Sequence, residues 1–259
     1  MTREATGGLL RARGVTKRFG GLTAVKGLSL DVAAGALYGL IGPNGAGKTT
    51  IFNLLTGVYE PTEGEIHFDG RRIDGRPPYE IASRGIARTF QNIRLFADMT
   101  VLENVMIAQH LRTREWLVDA VVGSARHDRE EREARERALD LLRLFALDTV
   151  ADELATSLPY GSQRRLEIAR ALATTPRLLL LDEPAAGMNP QEARDLMDLI
   201  RAVRSRFGLT ILLVEHNMQV VMGICETVQV IDHGESIALG TPAEIQRDPR
   251  VIEAYLGVG

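Results

Sequence analysis

Apolar residues along this chain keep two different rhythms. Leu28, Leu30 and Val32 alternate with Ser29 and Asp31, the two-residue period of a strand buried on one face. Residues 9–16 read as an earlier strand, and Ile66 and Phe68, followed by Asp69-Gly70, as one arm of a hairpin. Leu37-Tyr38-Gly39-Leu40-Ile41, the four leucines at 178–181 and residues 209–214 are unbroken apolar runs, as in strands covered on both faces. Residues 228–231 and 236–239 flank Asp232-His233-Gly234-Glu235, which predicts a second hairpin.

The other rhythm is helical. Residues 50–55 carry it, and so do Ala193, Leu196, Met197, Ile200 and Val203, whose helix opens on Asn189 as N-cap, Pro190 and Glu192. Thr100-Val101-Leu102-Glu103 is a capping box for a helix to about His110, and Thr241-Pro242 and Asp248-Pro249 start two more near the C-terminus. Charge dominates residues 126–137, where Asp128/Arg132, Glu131/Arg135 and Glu133/Arg137 are spaced as pairs on a solvated helix face. Residues 139–147 return to the apolar helical pattern. A mainly helical stretch, about 92–165, is thus expected inside an α/β core with a largely parallel sheet.

Composition narrows the field. With 259 residues, 45% hydrophobic and 25% charged, the chain is long enough for one large or two closely joined domains. A net charge of −3 gives no basic excess that would make nucleic acid the main partner. A single cysteine, Cys225, excludes an internal disulfide framework and suits a reducing compartment as a small core residue. Met1 to Gly8 lacks the apolar core of an export signal, and no apolar run approaches the ~18 residues of a membrane span. Trp116-Leu117-Val118 and Val121-Val122 come nearest, interrupted by Asp119. The expectation is a protein that is soluble or docks on something else.

Candidate chemistry centres on GPNGAGKT at residues 42–49, between the apolar run ending at Ile41 and the helical pattern beginning at Thr50. Strand, glycine-rich turn and helix form the context a phosphate loop requires. Gly45 and Gly47 let backbone N–H groups turn inward to phosphate oxygens, and the helix start adds its orphan donors and positive dipole end. Lys48 supplies a compact ammonium to β- and γ-phosphates, and the Thr49 hydroxyl is a ligand for Mg²⁺. Of 31 basic residues only Lys17, Lys26 and Lys48 are lysines, so lysine here, amid arginines, suits a site that wants a point charge. Asp182, closing the leucine strand, fits a carboxylate holding the hydrated metal, and Glu183 could accept a proton from attacking water.

Residues 158–172, LPYGSQRRLEIARAL, stand just before that strand and resemble the LSGGQ signature of ATP-binding-cassette (ABC) ATPases. With Gln91 after the first group of strands and His216 after a later one, the cassette motifs occur in order over about 9–257. Within that family the chain looks most like the ATPases of branched-chain amino-acid importers, on residues 88–105, 158–172, 178–190, 214–224 and 239–257. Lipopolysaccharide-exporter ATPases resemble it at the C-terminal end but lack the long insertion at 109–136.

The resemblance implies a phosphate-loop fold with a RecA-like, mostly parallel core, an N-terminal antiparallel β subdomain and an inserted helical subdomain, with core 9–91 and 166–257. It implies that Phe19, in the loop after the first strand, stacks on adenine, with Val25 lining the ribose side. Gly42, Asn44, Gly45, Ala46, Gly47, Lys48, Thr49 and Thr50 would wrap the phosphates. Gly161 and Ser162 of the signature would be nucleotide-binding positions too. Thr49, Gln91 and Asp182 would hold Mg²⁺, Glu183 would be the base, and His216 would hold the γ-phosphate. The implied partners are transmembrane permease subunits, docking near residues 91–105, and a second cassette, with the chain peripheral on the inner face of the cell membrane.

Two positions depart from the family pattern. Pro159 replaces a serine whose hydroxyl reaches the γ-phosphate of a facing subunit, and Asn189 replaces the usual D-loop aspartate. Both favour pairing with a different cassette, so that the two sites are unequal. Among rivals, a soluble cassette acting on DNA or ribosomes would carry twin cassettes, coiled-coil insertions or basic arms, none visible here. A GTPase would need a lysine in its guanine-selecting N-K-x-D motif, and no lysine follows Lys48.

Overall fold

A computed structural model of the chain describes residues 8–110 and 125–256. The N-terminal segment, the Trp116 to Val122 cluster and much of the 109–136 insertion lie outside the described residues. The described residues divide into two compact units, 8–88 with 177–256, and 89–110 with 125–176. The helix carrying the signature falls in the second unit, whereas the sequence pattern ended the insertion at about 165.

The first unit holds two sheets. Its antiparallel sheet has the order β2-β1-β4-β5, from β1 (Leu10–Phe19), β2 (Leu22–Val32), β4 (Glu63–Phe68) and β5 (Arg71–Arg72). The alternating pattern of β2 buries Leu28, Leu30 and Val32 and exposes Ser29 and Asp31, as its two-residue period requires. Phe19, expected in a loop, instead ends β1 and pairs with Leu22, because Gly20-Gly21 turns the chain tightly enough for the ladder to reach the hairpin tip.

The other sheet has the order β10-β9-β3-β8-β7-β6, formed by β3 (Leu37–Ile41), β6 (Ile86–Arg88), β7 (Leu178–Asp182), β8 (Thr210–Val214), β9 (Thr227–Asp232) and β10 (Glu235–Gly240). Only β10 runs antiparallel to its neighbour. Every residue of β3, β7 and β8 is buried, which is why these three are uninterrupted apolar runs. Helix α1 (Lys48–Leu55) inserts Ile51, Phe52 and Leu55 into a core cluster shared with Val25, Leu28, Phe68, Leu40, Leu180 and Val214 from both sheets. One satisfied polar network crosses this core: Tyr38 donates to Gln229 Oε1, and Gln229 Nε2 donates to the Ser29 carbonyl and Ser236 Oγ. Cys225 is buried, and burial pushes its thiol up to about 12, which removes thiolate reactivity at neutral pH. A short helix α2 (Pro78–Ser83) precedes β6.

The second unit is helical: α3 (Val101–His110), α4 (Ala125–Leu144) and α5 (Tyr160–Ala173). The capping box forms as expected, with Thr100 N–H donating to Glu103 and Glu103 N–H to Thr100 Oγ1. On α4 the Glu133–Arg137 pair stands at 3.7 Å, while Arg135 reaches Asp152. The side chain of Asp128 lies outside the described ones. Back in the first unit, α6 (Pro190–Phe207) starts on the expected Asn189 capping box and buries Ala193, Leu196, Ile200 and Val203. Helices α7 (Met218–Ile224), α8 (Pro242–Ile245) and α9 (Pro249–Leu256) follow. No helix among the described residues is long and apolar enough to cross a membrane.

Candidate functional site

Register decides what meets at the candidate site. In the six-stranded sheet Leu40 of β3 and Asp182 of β7 both pair with Val214 of β8. The segments that leave these three strands at the same carboxyl edge are residues 42–47, Glu183 and Glu215-His216. Open parallel sheets bind ligands at that edge, where loops are free of the ladder.

The loop from Gly42 to Gly47 is shaped by backbone that only glycine tolerates at two points. Gly45 (φ 81°) and Gly47 (φ 102°) are in the left-handed region. At Gly45 an added Cβ would meet nothing within 4 Å, so the surface of the turn there is open space. At Gly47 it would stand 2.5 Å from the Ala24 carbonyl, because β2 packs directly behind the turn. Gly234, in the β9–β10 hairpin, closes the same wall: its N–H donates to the Ala46 carbonyl, and its own carbonyl accepts from Lys26 N–H. Ala46 is buried, Asn44 and Thr49 are exposed, and Thr50 is half-buried at the start of α1.

Lys48 is only 6% exposed. Its ammonium donates to the carbonyls of Gly42 (2.7 Å) and Pro43 (2.8 Å). Burial lowers its pKa, opposed by the negative charges of Glu183 and Asp182. The lysine and both carboxylates therefore share one electrostatic environment.

Asp182 ends β7 buried, and Arg88 of β6 donates to its Oδ2 at 2.8 Å. The same guanidinium donates to Asn53 Oδ1 at 2.7 Å and lies over the Phe52 ring, both from α1. Glu183 departs from the strand with φ 46°, strained for a residue bearing a Cβ, and its N–H donates to the Val214 carbonyl. Its Oε2 stands 3.5 Å from Nδ1 of the half-exposed His216. Glu215, fully buried beside them, accepts from the Ala185 amide with Oε1 and from the His216 and Asn217 amides with Oε2. It joins the turns after β7 and β8, and burial raises its pKa despite those donors.

Phe19 lies 41% exposed, edge-on to Tyr59 with ring centroids 5.1 Å apart, and the Lys17 ammonium approaches both rings. Val25 is fully buried, inside the core cluster. The second unit carries Gln91, exposed, and Gly161 and Ser162, half-buried in the first turn of α5. Pro159 is the N-cap of that helix, and its carbonyl accepts from the Ser162 and Gln163 amides without any side-chain cap. Asn189, by contrast, caps α6 with its side chain.

Arg88 and Glu215 did not stand out in the sequence as site residues. The available signal was an ionisable residue directly continuing an apolar strand run, in Ile86-Ala87-Arg88 and in Leu212-Leu213-Val214-Glu215. Such a group must find a buried partner.

Comparison with known proteins agrees with this geometry. The family model described as ABC transporter matches residues 25–186, and that described as branched-chain amino acid ATP-binding cassette transporter matches residues 235–259. The high-affinity branched-chain amino acid transport ATP-binding protein BraF of Pseudomonas aeruginosa is 49% identical over 96% of this chain and 98% of its own length. LivG of Salmonella typhimurium, bearing the same description, is 47% identical over the same shares. The ADP conformation of MJ1267, an ATP-binding cassette of an ABC transporter, superimposes with a TM-score of 0.84 at 31% identity, over 98% of this chain and 100% of that one. On its ordered motifs, its two-sheet core and these relatives, the chain belongs to the family of ABC transporter ATPases.

Proposed function

We propose that the chain is the ATP-hydrolysing subunit of an importer of branched-chain amino acids, working on the inner face of the cell membrane against permease subunits and a second cassette. The observation that carries this reading is the convergence of Lys48, Asp182, Glu183 and His216 on one edge of a parallel sheet, in a chain with close likeness to BraF and LivG over nearly its whole length. The higher identity to BraF and LivG (49% and 47%) than to the lipopolysaccharide export ATP-binding protein LptB of Haemophilus influenzae (35%) favours import of branched-chain amino acids over lipopolysaccharide export.

In this reading the turn 42–50 wraps the triphosphate, and Lys48 exchanges its two backbone carbonyls for phosphate oxygens. Phe19 stacks on adenine, with Val25 behind the ribose side, while Gly161 and Ser162 of the signature meet the nucleotide held by the facing cassette. Thr49, Asp182 and Gln91 would hold Mg²⁺, which supplies neutralisation of phosphate charge. The fit is chemical: these donors are all oxygen, and among the described residues no three His, Cys, Asp or Glu side chains form a cage of their own. That suits a metal that arrives with its phosphates. Glu183 takes the proton of the attacking water, and His216, held beside it, donates to the γ-phosphate. Pro159 and Asn189 support a heterodimer in which this chain's phosphate loop, facing the partner's signature, forms the more competent site.

The test is transport. Proteoliposomes holding the assembled transporter should take up leucine, isoleucine or valine only with Mg-ATP on the cassette side, and should lose uptake with Glu183→Gln. Uptake that survives this substitution, or ATP-driven movement of none of the three, would overturn the proposal.

A further inference from the structure

Helix α5 contains a buried ion pair that the nucleotide chemistry does not use. Arg164 is 0% exposed and Glu167 1%, one helical turn apart. Apart from one to the Tyr160 hydroxyl, their remaining hydrogen bonds go to a single short stretch of backbone. Arg164 Nη1 donates to Glu167 Oε2 (2.8 Å) and to the Phe90 carbonyl (2.6 Å), while Nη2 donates to the Gln91 carbonyl (2.7 Å) and to the Tyr160 hydroxyl (3.2 Å). Glu167 Oε1 accepts from Phe90 N–H (3.2 Å), and the Arg94 amide is a further donor to the same carboxylate. All of these residues belong to the second unit.

An ordinary helical ion pair faces water and contributes little. This one is taken out of water, a cost recovered only when each remaining donor and acceptor is also satisfied. Here the backbone around Gln91 satisfies both Nη groups and the Glu167 carboxylate, which offsets part of that cost, while Arg164 Nε stays buried without a partner. The guanidinium is planar and forked, so two neighbouring carbonyls are held in fixed relation to the helix; a lysine could hold one.

We propose that Arg164 and Glu167 are positioning residues that lock the backbone carrying Gln91 to the signature helix, so that Gln91 and the signature move as one body during the ATP cycle. The inference rests on the reading of Gln91 as a nucleotide-sensing, metal-side residue. Arg164 and Glu167 are buried away from any ligand-accessible surface and act through the main chain of residues 90–94.

Two readouts test it, hydrogen exchange of the 89–95 amides in the full chain and steady-state ATP hydrolysis by the assembled transporter. Arg164→Lys and Glu167→Gln should speed exchange in that stretch about tenfold and lower kcat by about a hundredfold, with KM for ATP changed much less than kcat, as for a group whose exact placement matters most in the transition state. The double substitution Arg164→Met/Glu167→Leu should lower the urea midpoint less than either single variant, because no unpaired charge is left buried, yet keep both defects, because the Phe90 and Gln91 carbonyls and the Phe90 amide still lose their partners. If one single variant fails to fold, the other and the double carry the same readouts. Unchanged exchange in a folded variant, or faster exchange with unchanged kcat, would overturn the proposal. Gln91→Ala, run alongside, judges the reading of Gln91 separately: normal hydrolysis there sinks that reading, whereas normal loop exchange in Arg164→Lys sinks only the clamp.

Discussion

Arg88 donates through Nη2 to Asp182 Oδ2 across 2.8 Å, with the two side chains 8% and 6% exposed. The carboxylate at the end of the leucine strand is thus neutralised from a neighbouring strand of the same sheet. Arg88→Met should leave that carboxylate charged and buried, costing about 3–5 kcal/mol in urea unfolding of the nucleotide-free chain. Adding Asp182→Leu should recover most of the loss. A single-variant loss below ~1 kcal/mol would mean that the pair behaves like an exposed one.

The buried ammonium of Lys48 makes the nucleotide-free chain less stable at neutral pH. Its pKa is lowered in the folded state, first by burial, so the unfolded chain binds more protons between the folded value and the ordinary 10.5. The cost is therefore fully present below the folded pKa and is relieved as pH rises through it. Lys48→Met should raise the urea midpoint at pH 7, and its advantage should shrink as pH approaches 10.5. The same protein should lose ATP binding by roughly a hundredfold or more in a fluorescent-nucleotide titration. A variant that binds ATP normally would remove Lys48 from the phosphate site.

Glu183→Gln keeps the shape of the side chain and removes the proton acceptor. It should bind Mg-ATP as the parent does and hydrolyse it about 10²–10⁴-fold more slowly. His216→Ala should slow turnover by about 10²–10³-fold through lost stabilisation of phosphate charge. Because the two side chains stand only 3.5 Å apart, the double variant should be little worse than Glu183→Gln alone. Additive losses in single-turnover assays would show that they act independently.

Pro159→Ser tests the unequal pair of sites. A serine N-cap on α5 should add about 0.5–2 kcal/mol, while loss of proline's restraint on the unfolded chain removes about 0.4–1 kcal/mol. Stability should hardly change, so any gain in hydrolysis at the partner's phosphate loop reports the restored hydroxyl. In a reconstituted heterodimer, Glu183→Gln in this chain should cost more than the matching change in the partner. Equal losses would count against asymmetry.

Asn189→Ala should cost about 1 kcal/mol, since the side chain caps the Gln191 and Glu192 amides of α6. Asn189→Asp keeps a capping oxygen and should leave thermal unfolding unchanged. A large loss with aspartate would mean that the asparagine amide has a further role at this turn.

Local signals carried much of this protein. Alternation at Leu28, Leu30 and Val32, unbroken runs at β3, β7 and β8, and the caps at Thr100, Asn189 and Thr241 each specify an element from neighbouring residues alone. The turn at 42–49 was equally legible, because its glycines and lysine act through backbone geometry and charge within one loop. Tertiary structure decided what those signals could not reach. Asp182 pairing with Val214, Arg88 beneath Asp182, Glu215 joining two turns, and Arg164 with Glu167 gripping residues 90–94 all depend on register and burial between segments distant in sequence. A buried charge has its partner chosen by the fold, since only the assembled core excludes the water that would otherwise serve every such group equally.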